Sequence, residues 1–138
     1  MIEYVGGVRD PDTGLLYVYG TINGHDDVGL RLLVNTGTPA FVVIPHSRAL
    51  ELGVDIVPDP RVANSGTAVL ESLQLAGQLA GFRDPNGAHC PIVLGSVPAT
   101  IVPDEAFRLG FEGMLGLMAL ETLSDVGFRG GRLIVRIP

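Results

Sequence analysis

Val28, Leu30, Leu32 and Val34 alternate with other residues up to the polar triplet Asn35-Thr36-Gly37, and Phe41-Val42-Val43-Ile44 leaves it on the far side. Period-two alternation marks a β-strand with one face turned into a core. A polar turn caught between two buried strands is cut off from water. Its groups must therefore be hydrogen-bonded to one another or used in chemistry. That restricts the chain more than any other stretch does, because the turn needs a β-framework on both sides.

The remaining residues read mostly as strands and turns. Tyr4 to Val8 is expected to form a short edge strand that ends in Arg9-Asp10-Pro11-Asp12-Thr13-Gly14, strong turn chemistry. That segment holds a literal Asp-Thr-Gly, but Arg9, Asp10 and Pro11 precede Asp12 where a buried strand would be needed, so Asp12 reads as a solvated turn residue. Leu15 to Ile22 reads as a strand, and Asn23-Gly24 signals a hairpin with His25-Asp26-Asp27 lengthening its loop. His46 to Gly53 suits a short helix with Ser47 as cap and Gly53 as stop. Arg61 to Leu70 offers two short strands about Asn64-Ser65-Gly66. Strand-like residues follow to Phe82, with a break at Ala76-Gly77. Pro91 to Val102 is an apolar strand region that Gly95 and Pro98 are expected to interrupt. Pro103 to Gly110 looks like a helical turn, and Gly130-Gly131 leads the last strand, Arg132 to Ile137.

Composition narrows the function classes. The 138 residues suffice for one domain, 1–138, with a core of its own. Hydrophobic residues make up 46% of the chain and mean hydropathy is +0.38, high enough to expect some apolar surface buried between subunits. A net charge of -6 and a pI near 4.8 argue against nucleic acid as a partner. Cys90, the one cysteine, excludes an internal disulfide. The residues from Met1 onward show no signal-peptide pattern and no apolar run reaches membrane-spanning length, so a cytoplasmic location and no membrane partner are expected. His25 lacks a second His or Cys at ligand spacing, and the adjacent His89 and Cys90 would point to opposite faces of a strand. Neither suggests a metal site. No Ser/His or Cys/His arrangement has motif context.

Leu33-Val34-Asn35-Thr36-Gly37-Thr38 and the later Met114-Leu115-Gly116-Leu117 together resemble the two motifs of the retropepsin-like aspartic peptidases. In that family an apolar strand enters Asp-Thr/Ser-Gly, and two apolar residues and a glycine lead into a helix. The likeness runs from about Tyr17 to Ile137. It implies an all-β, closed retropepsin-like barrel, a single lobe of the acid protease fold, with one or two short helices. It also implies that the Asn64-Ser65-Gly66-Thr67 hairpin is a flap over bound peptide. Asn35 stands where the family has its catalytic Asp, and Met118 stands where Asp is frequent.

One motif per chain supplies half of a catalytic pair. The resemblance therefore implies a twofold homodimer in which residue 35 of each subunit meets at the axis. Thr36 would brace the loop across the interface, Gly37 would give it an unhindered turn, and no metal or cofactor would take part. In such enzymes two carboxylates share one proton: the ionised one activates water and the protonated one polarises the scissile carbonyl. Two Asn side chains preserve the shape but cannot ionise near neutral pH. The chain thus reads as an aspartic endopeptidase acting on peptide or protein, silenced by an Asp-to-Asn change at position 35. The alternative is a natural pseudopeptidase serving as a peptide-binding or dimerisation module.

Overall fold

Strand pairing in the computed structural model curls a sheet that carries the Asn35 turn at the tip of one strand. The structure describes residues 1–22, 25–51, 57–58, 71–106, 112–123 and 125–138, with backbone alone for residues 22, 25–28, 57–58, 71–76, 96–98 and 106. The strands are β1 (Ile2–Gly6), β2 (Val8–Arg9), β3 (Leu16–Ile22), β4 (His25–Asn35), β5 (Val42–Pro45), β6 (Val57–Pro58), β7 (Glu71–Ala80), β8 (Ile92–Val102), β9 (Gly113–Gly116), β10 (Asp125–Arg129) and β11 (Arg132–Ile137). Two short helices, α1 (His46–Glu51) and α2 (Leu117–Glu121), follow β5 and β9, and Asp104–Ala106 forms a 3-10 turn.

The larger sheet runs β2-β3-β4-β9-β5-β8-β7-β6, and β3 also pairs with β7. That extra pairing, Tyr19 opposite Ala80 through Ile22 opposite Gly77, joins the sheet to itself and so removes most free edges. Its interior is filled by Val18, Leu30, Leu32, Ile44, Leu79, Ile92, Ile101 and Leu115, all buried. The smaller sheet, β1-β11-β10, supplies Leu133 and Val135 to the same core. The expected all-β, retropepsin-like architecture with short helices is what the chain adopts.

Local expectations differ from the structure in several places. Gly7, at φ +87°, splits the first strand into β1 and β2. β4 begins at His25, directly opposite Ile22, so His25-Asp26-Asp27 belong to the strand rather than to the loop. Ser47 does not cap α1 with its own side chain: its N–H donates to Asp104 Oδ1 at 3.0 Å, a carboxylate 57 residues away. β7 runs unbroken through Ala76-Gly77, where the register shifts, and β8 runs through Gly95 and Pro98. The extra residue is Leu94 of β8, beside Gly95 at φ +75° and opposite the Gly77-Gln78 step, and Pro98 stays in register opposite Gln74. The expected hairpin tip at Asn23-Gly24 lies outside the described residues, as do Gly53, the 61–70 hairpin and the end of the Pro103 to Gly110 turn.

Candidate active site

β9 is last in sequence of three strands but lies in the middle of them. It runs parallel to β4, with Asn35 opposite Gly116, and antiparallel to β5, with Val42 opposite Leu115 and Val43 opposite Met114. The loop from β4 to β5 must therefore cross over the end of β9. Three hydrogen bonds hold it there: Gly116 N–H to Phe41 O at 2.8 Å, Leu117 N–H to Thr38 O at 2.8 Å, and Met118 N–H to Ala40 O at 3.3 Å. The crossing is so close that a Cβ at Gly116 would lie 2.0 Å from Ala40 O and 2.9 Å from Thr38 O. Only glycine fits. Gly113 is similarly placed, 2.8 Å from Val43 O by the same measure.

Asn35 sits half-buried at the tip of β4, with Thr36 and Gly37 exposed beyond it. Its Oδ1 accepts the Gly37 N–H at 3.0 Å and its backbone carbonyl accepts the Thr38 N–H at 3.2 Å. The Nδ2 group donates to the Met114 sulfur at 3.8 Å, a long, weak contact across the β4–β9 pair. Both halves of the amide are thus aimed by the fold. One oxygen belongs to the turn, and the other position faces the thioether. Asn35, Thr36, Gly37, Met114, Leu115 and Gly116 are brought together at one crossing, with Leu115 buried below it. The flap residues Asn64, Ser65, Gly66 and Thr67 lie outside the described residues.

Asp12 is elsewhere. It sits in an exposed turn where its own N–H donates to Asp10 Oδ1 at 2.9 Å. That bond, with help from Thr13 and Arg31, holds the Asp10 carboxyl below its ordinary value against a smaller opposing effect of burial. Among the described residues no three of His, Cys, Asp and Glu come together.

Beside Thr36 opens a recess of about 350 Å³ lined by Leu117, Leu120, Glu121, Asp125, Val126 and Phe128 as well as Thr36. Leu117, Met118 and Phe128 are exposed around it, Phe128 to 55%. Nothing in the pattern of residues 117–128 alone marks this apolar face as exposed, because only the β10–β11 sheet and the crossing bring it beside the Asn35 loop.

No protein-family model and no curated protein matches the sequence. Among solved structures, the crystal structure of a retropepsin-like aspartic protease from Rickettsia conorii is similar, with a TM-score of 0.59 at 16% identity over 96% of this chain and 88% of that one. The retroviral protease-like domain of Ddi1 from Leishmania major has a TM-score of 0.45 at 14% identity over 84% and 82%. The fold is that of the retropepsin-like aspartic proteases. At this identity the likeness is one of fold, and the crossing at Gly116 is where this chain builds it.

Proposed function

We propose that the chain is an aspartic endopeptidase by architecture, working as a homodimer on extended peptide, in which residue 35 is the missing catalytic element. The observation that carries this reading is the Asn35 Oδ1 bond from the Gly37 N–H, in a loop fixed over Gly116. A carboxylate accepts that bond in the same geometry, and its second oxygen takes the place of Nδ2. Two such loops facing across a twofold axis would place two side chains close enough to share one proton if both were Asp. With Asn at both positions neither side can take a proton from water, so peptide is held and not cut. Ground-state binding survives, because the lost group acts chiefly on the transition state.

A second reading is a pseudopeptidase in which Asn35 is the working residue. The Met114 contact favours it, since a thioether accepts a bond from an amide N–H and offers no proton to a carboxylate. Digestion of a peptide library by the chain and by Asn35→Asp, from mildly acidic to neutral pH, separates the two. Cleavage confined to the variant supports the endopeptidase architecture. A dimeric variant that binds peptide but cleaves none supports the pseudopeptidase.

A further inference from the structure

We propose that Met114 is a positioning residue whose sulfur turns the Asn35 amide so that one Nδ2 hydrogen is left for a backbone carbonyl of a bound extended peptide. The proposal rests on the peptide-binding reading above and adds how a chain with an amide at position 35 holds its ligand.

Both ends of the Asn35 amide are fixed, and by separate partners. The Gly37 N–H can only donate, so it meets Oδ1, at 3.0 Å. The Met114 thioether has lone pairs and no hydrogen, so it meets Nδ2, at 3.8 Å. Exchanging O and N would set hydrogen against hydrogen at one end and lone pair against lone pair at the other. Neither contact has to be strong, because each excludes the same wrong orientation.

The strands explain why residue 114 does this. Leu32 and Leu115 are buried in the core, so period-two alternation puts Leu33, Asn35, Met114 and Val43 on the opposite face. Met114 is opposite Leu33, and Gly116 is opposite Asn35. A long, unbranched side chain can lean from residue 114 to the strand tip, where a β-branched one stops short. The apolar side chains of Leu33 and Val43 beside it offer Nδ2 no acceptor.

A primary amide has two N–H donors and two acceptor lone pairs. At Asn35 the sulfur takes one hydrogen and the Gly37 N–H one lone pair, and among the described residues no second acceptor meets Nδ2. A half-buried donor in that state favours a ligand that brings an acceptor. An extended peptide brings a carbonyl at every residue, and its apolar side chains suit the strip formed by Leu33, Met114 and Val43. The net charge of -6 disfavours a carboxylate in that place.

Such a donor does not titrate. β4, β9 and β5 set Leu33, Met114, Gly116 and Val43 around it, and the loop adds Thr36, Gly37 and Thr38. Arg31 lies on the same face earlier in β4, and Glu112 just before β9. Glu121 of α2 and Asp125 of β10 line the recess beside Thr36, and Arg136 is 3.4 Å from Asp125. All five charged groups are shared by the chain and by Asn35→Asp, so comparing the two isolates position 35. The chain should hold an uncharged, end-capped peptide equally from mildly acidic to neutral pH. A carboxyl at position 35 offers a hydrogen only while protonated, so Asn35→Asp should bind the same peptide in acid and release it toward neutral.

The probe is a library of short, end-capped peptides without charged residues, passed over the immobilised chain, with a retained peptide then titrated against each variant. Met114→Leu keeps the volume but removes the acceptor, and should weaken binding about fivefold. Met114→Gln returns an acceptor at similar reach and should restore it. Met114→Leu binding as tightly as the unaltered chain, Met114→Gln binding no better than Met114→Leu, or a pH dependence shared by the chain and Asn35→Asp would each overturn the proposal. The pH comparison decides even where a variant at 114 fails to fold. If the chain retains no peptide while Asn35→Asp cleaves the library, this inference falls and the endopeptidase architecture stands. If neither binds nor cleaves, both fall.

Discussion

The chain contains two turns of similar spelling, Asn35-Thr36-Gly37 and Asp12-Thr13-Gly14, and the one that carries an Asp is the one that lies away from the strand crossing. Each is braced by a side-chain oxygen that accepts an N–H two residues on: Asn35 Oδ1 from Gly37, and Asp10 Oδ1 from Asp12. The local chemistry is nearly the same. Only the first lies between strands that a third strand holds together from behind, through Gly116 and three crossing hydrogen bonds. A triplet becomes a site through the strands that hold it.

The largest effect should come from adding one methyl group to the glycine beneath the Asn35 turn and to the glycine within the Asp12 turn. Gly116→Ala puts a carbon into Ala40 O and should destabilise the protein by about 4 kcal/mol or prevent folding. Gly14→Ala meets nothing within 4 Å and suffers only its φ of +73°, a cost of about 1 kcal/mol. Urea midpoints measure the difference. Equal losses would mean that the crossing is not the tighter element.

Truncating the first residue of each triplet comes next in size. Asn35→Ala removes the half-buried acceptor that holds the Gly37 N–H and should cost about 1 kcal/mol. Asp12→Ala removes a side chain from an exposed turn and should stay within about 0.5 kcal/mol of the parent.

The smallest effect is one of pH. The Asp10 carboxyl is held below its ordinary value chiefly by the Asp12 N–H, so its folded value lies below its unfolded one. The stability it contributes is complete above the unfolded value and is lost as pH falls through the folded one. Asn35 makes the same kind of bond with an amide that does not titrate. Amide exchange on acidification should therefore loosen residues 12–14 and spare 36–38, and Asp10→Asn should abolish the difference.

Much of this was legible in residue order. Alternation in 28–34, the apolar 41–44 run and the Gly116 motif placed the crossing strands, because period and glycine carry that information locally. The strand origin of His25-Asp26-Asp27 was hidden because three polar residues look like loop until pairing with β3 is known. Asp104 as the partner of the Ser47 N–H was hidden by 57 residues of separation. Continuity of β8 through Gly95 and Pro98 depends on β7 supplying the matching register shift. Met114 was visible as part of a motif, but its sulfur beside the Asn35 amide follows from the parallel register with β4.

Position 35, and not position 12, is where we propose that a carboxylate would do chemistry. The most direct test is peptide hydrolysis by Asn35→Asp, with and without Asp12→Asn, against the chain carrying Asn35. Hydrolysis should appear with Asn35→Asp, favour acid over neutral pH, be unchanged by Asp12→Asn, and be absent from the parent chain. Hydrolysis by the parent chain that disappears with Asp12→Asn, or equal rates with Asn and Asp at position 35, would contradict that assignment.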